Sequence, residues 1–191
     1  MRDSIKNEIT ETARLLQRVI DENVRTIAEG AEVLVRALKG GNKILVFGNG
    51  GSAADAQHMV CELVGRFRRD RAPIPAMALT TNSSSLTAIA NDYGFDQIFS
   101  RQVQALARPG DVCLAISTSG SSTNVLNAVR TANDLGLETI GLSGKEGGEL
   151  ATLCSLCICV PSDSTPRIQE AHITIIHALC RAIEQELFGA A

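Results

Sequence analysis

From Lys43 onward, almost continuous apolar runs alternate with stretches in which apolar positions recur every three or four residues. The runs are Lys43 to Gly48 (KILVFG), Pro75 to Thr80 (PAMALT), Asp111 to Ser117 (DVCLAIS), Glu138 to Gly144 (ETIGLSG) and Leu156 to Pro161 (LCICVP). A strand that is apolar at nearly every position, rather than every second one, is covered on both faces. The intervening segments SAADAQHMVCELVGRF, SSLTAIAND, FDQIFSRQVQALA, STNVLNAVRTANDLG and GGELATLC have helical period, with ends suggested by Ser52 and Gly136. Strand and helix in alternation predict an α/β fold, a doubly wound five-stranded parallel sheet flanked by helices. In such a sheet ligands bind beyond the carboxyl ends of the strands, so the turns there are where chemistry should be sought.

Ahead of the first strand, Ile5, Ile9, Leu16 and Ile20, then Ile27, Ala31, Val35 and Leu38, recur at spacings of three, four or seven. We read this as two helices laid against the sheet or against another subunit. Arg167 to Phe188 forms a closing helix of about six turns. The chain, residues 1–191, therefore reads as a single domain in which residues 1–40 are a helical extension, with no internal repeat, linker or low-complexity tract. So much apolar helix outside a five-stranded sheet fits a homo-oligomer, and equally an intramolecular layer.

Composition then narrows the partners. With 191 residues and 45% hydrophobic content the chain can bury one substantial core. A net charge of -3, with both signs dispersed, offers no basic stripe for nucleic acid and no acidic tail, which leaves a small molecule or another copy of the chain. The N-terminal MRDSIKNEITETARLLQRVI lacks the apolar core of a signal peptide, and no run of 18 apolar residues occurs. The expectation is a cytoplasmic protein without membrane contact. Of six cysteines, Cys154, Cys157 and Cys159 cluster in CSLCIC, without the second paired cluster of a zinc knuckle. We read them as small hydrophobes of a buried strand ending at Pro161, and expect no disulfides.

Two turns at predicted strand ends stand out. Gly48-Asn49-Gly50-Gly51-Ser52 lets backbone amides approach a ligand and opens a helix whose N-terminus favours anions, although it matches neither the Walker A nor the dinucleotide-binding pattern. Alone, it could equally be a tight connection. In ISTSGSSTN the hydroxyls of Ser117, Thr118, Ser119 and Ser122 surround Gly120 between a strand and a helix. Such hydroxyls and free amides can hold a phosphate without lysine or magnesium; the plainer alternative is a serine-rich loop with a helix cap at Ser121 or Ser122.

His58 and Glu62, four residues apart, share one helix face, as either a functional pair or a solvated one. Gln169 and His177 lie eight residues apart on the closing helix, about 12 Å along its axis. His172 points about 140° away from His177 and is assigned to packing.

Together the two turns resemble the sugar isomerase (SIS) family. The segments GNGGSAADAQHMVCEL, ANDYGFDQIFSRQV, PGDVCLAISTSGSSTNVL, GKEGGELA and RIQEAHITIIH are similar, in order over nearly the whole chain, to signatures of the phosphoheptose isomerases within that family. The resemblance implies a flavodoxin-like sheet and interconversion of sedoheptulose 7-phosphate and D-glycero-D-manno-heptose 7-phosphate through an enediol. That step would open the supply of heptose precursors for the lipopolysaccharide core. It also implies one zinc ion per subunit on His58, Glu62, Gln169 and His177, with Glu62 as base at carbon and His177 as acid/base at oxygen. Substrate contacts would come from Asn49, Gly50, Gly51, Ser52, Glu62, Asn91, Asp92, Ser117, Thr118, Ser119, Ser122 and Gln169. Asn91 and Asp92 could also simply end a helix, and Arg66 and Arg68 could lie near the anion or be solvated. A homotetramer with sites at subunit interfaces is implied as well. The rival is a non-catalytic paralogue that binds the bacterial replication initiator and resembles the same segments; those relatives typically lose the acid/base pair, whereas Glu62 and His177 both stand here. A phosphosugar-sensing regulator would want an attached DNA-binding domain, for which the sequence offers no candidate.

Overall fold

The computed structural model describes residues 1–189. Its elements are α1 (Arg2–Lys39), β1 (Ile44–Gly48), α2 (Gly51–Val64), β2 (Ala76–Ala78), α3 (Ser83–Tyr93), a 3-10 turn (Phe95–Gln97), α4 (Ser100–Leu106), β3 (Val112–Ser117), α5 (Thr123–Asp134), β4 (Glu138–Gly144), α6 (Gly148–Leu153), β5 (Leu156–Val160) and α7 (Thr165–Phe188). The five strands form one parallel sheet in the order β2-β1-β3-β4-β5.

The continuous apolar runs are explained by the two layers that cover this sheet. Ile44, Val46, Leu114, Ile116 and Leu142 face a core shared with α1, α2 and α7. Leu45, Phe47, Cys113 and Ala115 face the other way, into a core shared with α4, α5 and α6. Strand order reverses direction between β1 and β3, which pair from Ile44–Val112 to Gly48–Ile116. The turns that follow these two strands therefore emerge side by side, at the topological switch point where open α/β sheets bind ligands.

Three expectations need correction. Residues 1–40 hold one helix, not two: α1 runs unbroken for 38 residues, about 57 Å. No proline interrupts it. Gly30, its least favourable residue, lies against β5, where an added Cβ would come within 3.2 Å of Leu156 Cδ2; close packing there offsets a propensity cost of about 1 kcal/mol. The first nine residues of the chain are exposed, while Leu15, Val19, Leu34 and Leu38 are buried. Second, the helix expected to start at Ser52 starts at Gly51, and Ser52 is buried in its first turn. Third, Cys157 and Cys159 are not fully buried core residues as Cys113 and Cys180 are. β5 is an edge strand, and the six residues of α6 cover only part of its face. All six cysteines are free thiols. Among the described residues no helix is long and apolar enough to cross a membrane.

Candidate active site

Helices α2 and α7 lie side by side and run in the same direction: Gly51 meets Gln169, His58 meets His177, and the chain just beyond α2 meets Glu184. His58 and Glu62, one turn apart on α2, bring Nε2 and Oε1 to 3.2 Å. His177 on α7 places its Nε2 3.1 Å from His58 Nε2. The two imidazoles meet edge to face with centroids 4.9 Å apart, and Phe67 stacks on His177 with centroids 5.6 Å apart. Two imidazole nitrogens facing each other at this distance, with a carboxylate oxygen beside them, leave a place between them for a cation. One ligand atom from each of His58, Glu62 and His177 lies within 4.8 Å of the others. Two imidazole nitrogens and a carboxylate oxygen are a donor set suited to zinc.

A buried ion pair fixes the far end of both helices. Glu184, fully buried on α7, accepts hydrogen bonds from the backbone N–H groups of Arg68 and Arg69 and from Arg71 Nε at 3.3 Å. The Arg71 guanidinium donates in turn to the carbonyls of Glu62 and Leu63, both at 2.8 Å, and of Gly65 at 3.3 Å. These are the carbonyls that a helix C-terminus leaves without intrahelical partners. Arg71 thus caps the end of α2 that carries Glu62 and joins it to α7. Sequence reasoning missed this pair because its members are 113 residues apart and neither belongs to a motif. It also missed Asp55, one turn before His58. Burial pushes the Asp55 carboxyl up to about 6 against the pull of His58, and its Oδ2 has no hydrogen-bond partner. The spacing Asp55–His58–Glu62 on one helix face was a signal available for it.

The two strand-end turns are joined as the pairing of β1 with β3 requires. Asn49 and Asn124 exchange side-chain hydrogen bonds of 2.8 and 2.9 Å between the first turn and α5. Ser117, buried, and Ser122 place their hydroxyls 3.0 Å apart, while Ser119, exposed, accepts from Ser121. Ser122 holds the N-cap position of α5 but makes no capping bond, which leaves the first amides of that helix without a side-chain partner. Gly120 has φ +64°, and a Cβ there would collide with the Gly147 carbonyl. The turn is braced from behind by Leu150 N–H donating to Gly120 O at 2.9 Å and Gly144 N–H donating to Thr118 O at 3.1 Å. A helix start whose first amides lack a side-chain partner, beside the hydroxyls of Ser117, Ser119 and Ser122, has the chemistry to take an anion.

The structure thus gathers His58, Glu62 and His177 into one group, and Asn49 to Ser52 with Ser117 to Ser122 into another. Gln169 belongs to the second group: a Cβ on Gly51 would lie 2.6 to 2.8 Å from its carboxamide atoms, about two turns of α2 before His58. Asn91 and Asp92 are exposed on the last turn of α3, bonded to each other at 2.8 Å, and no hydrogen bond links them to either group. His172 is fully buried; its Nε2 bonds the Ser143 carbonyl at 3.1 Å.

The SIS domain family model matches residues 9–144. A phosphoheptose isomerase of Geotalea daltonii is 55% identical over 189 residues, covering 99% of this chain and 98% of its own. One of Aquifex aeolicus is 49% identical over 185 residues, with 97% of each covered. Among solved structures, a phosphoheptose isomerase from Neisseria gonorrhoeae superposes with a TM-score of 0.92 at 43% identity, over 96% of this chain and 98% of that one. One from Francisella tularensis gives 0.93 at 40%, over 96% and 97%.

Proposed function

Because the chain belongs to the SIS-domain family, among its phosphoheptose isomerases, we propose that it interconverts sedoheptulose 7-phosphate and D-glycero-D-manno-heptose 7-phosphate. The observation that carries this reading is the meeting of the Glu62 carboxylate with the His177 imidazole, brought together from α2 and α7, 115 positions apart in the chain. A 1,2-shift of a carbonyl needs one group to move a proton between adjacent carbons and another to move a proton between their oxygens. Glu62 takes the proton from C1 of the ketose and returns it at C2 of the enediol. His177, held by Phe67 on one face and by His58 at its edge, moves the proton between O2 and O1.

The phosphate is held by the hydroxyls of Ser117, Thr118, Ser119 and Ser122 and the first amides of α5. Asn49, Gly50, Gly51, Ser52 and Gln169 line the adjacent turn and contact the sugar. His58, Glu62 and His177 would hold one zinc ion; Gln169, the fourth ligand that the family resemblance implies, packs against Gly51 about two turns of α2 before His58. When bound, the metal supplies positive charge that polarises a substrate oxygen.

The functional unit is a homotetramer in the cytoplasm, feeding heptose precursors to lipopolysaccharide synthesis. Two features support assembly: Ile5, Ile9, Ile20 and Val24 form exposed apolar positions on α1, and Asn91 with Asp92 stand apart from their expected partners. Those two residues would contact substrate in a site completed by another copy. The paralogue that binds the replication initiator is not favoured, since the acid/base pair is present and convergent. The test is turnover of sedoheptulose 7-phosphate by the purified protein, with and without added zinc, beside His177→Ala. Turnover lost in the variant is the expected result; no turnover by the folded, zinc-loaded protein would overturn the assignment.

A further inference from the structure

The first turn of α7 is gripped on three sides. Successive helical residues are turned by about 100°, so Arg167, Ile168 and Gln169 face three directions. Ile168 faces the sheet, where a Cβ on Gly144 at the end of β4 would collide with it. Gln169 faces the first strand-end turn, with its carboxamide against Gly51. Arg167 faces α1. Although charged, it is only 7% exposed, and both arms of its guanidinium are occupied. Nη1 donates to the Glu8 carbonyl and, at 2.6 Å, to Thr12 Oγ1. Nη2 pairs with Glu8 Oε2 at 3.1 Å and with Glu170 Oε1 at 3.0 Å. Thr12 Oγ1 donates in turn to Glu170 Oε2 at 2.6 Å, which closes the network between the two helices.

We propose, on the reading of the chain as a sugar-phosphate isomerase whose Gln169 contacts the sugar, that Arg167 is a positioning residue for substrate binding. Through Glu8, Thr12 and Glu170 it braces the start of α7 against α1, and so seats Gln169 against Gly51. Ser164, at the N-cap position of α7, makes no capping bond, so side-chain contacts rather than a cap hold this turn. A lysine would keep the charge but not the grip, because one ammonium on a flexible stem cannot span a carbonyl, a hydroxyl and two carboxylates as a planar fork does. The chemistry is anchored separately. His177 lies ten residues further along α7, about 15 Å away, toward the end that Glu184 ties to Arg71. Loosening the first turn should therefore weaken binding and spare proton transfer.

Steady-state turnover of sedoheptulose 7-phosphate by the purified full chain is the first test. Arg167→Lys should raise KM about tenfold, within the hundredfold that a misplacement of about 1 Å can cost, and leave kcat within about twofold. Thr12→Val, which removes one member of the network, should raise KM by less. The second readout separates positioning from general support: in a Glu62→Gln chain, where substrate binds without reacting, calorimetry gives the affinity with Arg167→Lys, with Gln169→Ala and with both. Once Gln169 is truncated, Arg167→Lys should weaken binding no further. Losses that multiply across the two positions, a fall in kcat in place of the rise in KM, or an unmoved KM would overturn the proposal. Thr12→Val against Gln169→Ala makes the same comparison if Arg167→Lys folds poorly. A wild-type chain that does not turn over the sugar overturns the isomerase reading and this proposal with it, whereas normal wild-type turnover with an unmoved KM overturns this proposal alone.

Discussion

At Glu62 the proposed proton transfer is most directly exposed to test. Glu62→Gln keeps the side chain's size but removes the base, so kcat should fall about a thousandfold while the affinity for substrate, read by calorimetry, is retained. Ser119→Ala should do the reverse, weakening binding about tenfold through one lost hydrogen bond to a charged group while sparing kcat. His172 makes a prediction about stability. Burial lowers its imidazole to about 4, against the hydrogen bond to Ser143 O, which favours the charged form; the buried Nδ1 has no hydrogen-bond partner. The unfolded chain binds that proton near pH 6.5, so the contribution is present above 6.5 and lost as pH falls toward 4, amounting to about 3 kcal/mol. Urea unfolding at pH 7 and pH 4.5 should show a smaller difference for His172→Gln than for the wild type. Residues one helical turn apart, such as His58 and Glu62, were legible in the sequence because geometry links them locally. His177 lies 119 positions from His58, and only family resemblance connected the two; Asn49 with Asn124 and Arg71 with Glu184 had no such guide.

Among the elements, α2 and α7 form the working pair, and the Arg71–Glu184 contact is what holds them in step at the end carrying Glu62. Both side chains are almost wholly buried, so removing one strands the other's charge. Glu184→Ala should cost about 3 to 5 kcal/mol in urea unfolding, and Arg71→Met with Glu184→Leu should recover much of it. The central strands β1, β3 and β4 were legible because a doubly covered strand is apolar throughout, whereas the edge strands β2 and β5, with Met77 exposed and Cys157 half-buried, are apolar in sequence without being covered on both faces. The unbroken length of α1 was not legible, since the step of seven between Ile20 and Ile27 reads the same whether one helix ends there or a single helix continues. Nor was the partial exposure of Cys157 and Cys159, which depends on β5 lying at the sheet edge and on how little of it α6 covers.

For the molecule as a whole, the exposed apolar positions along α1 bear on assembly. Light scattering should give the mass of four chains, and the combined Ile5→Asp and Ile9→Asp variant should give a smaller one. The topology was recoverable from pattern alone up to strand number and direction; the order β2-β1-β3-β4-β5 is set by packing and is seen in the structure. The side-by-side placement of α2 and α7 also fixes when activity can arise. A ribosome adding about 5 to 20 residues per second needs roughly 6 to 24 s to travel from His58 to His177. Throughout that interval the nascent chain carries the first half of its chemistry without the second. With His177 in its proposed role, a product cut short before the final helix is expected to be inert, however well its sheet had formed, which an assay of a chain ending before α7 would check.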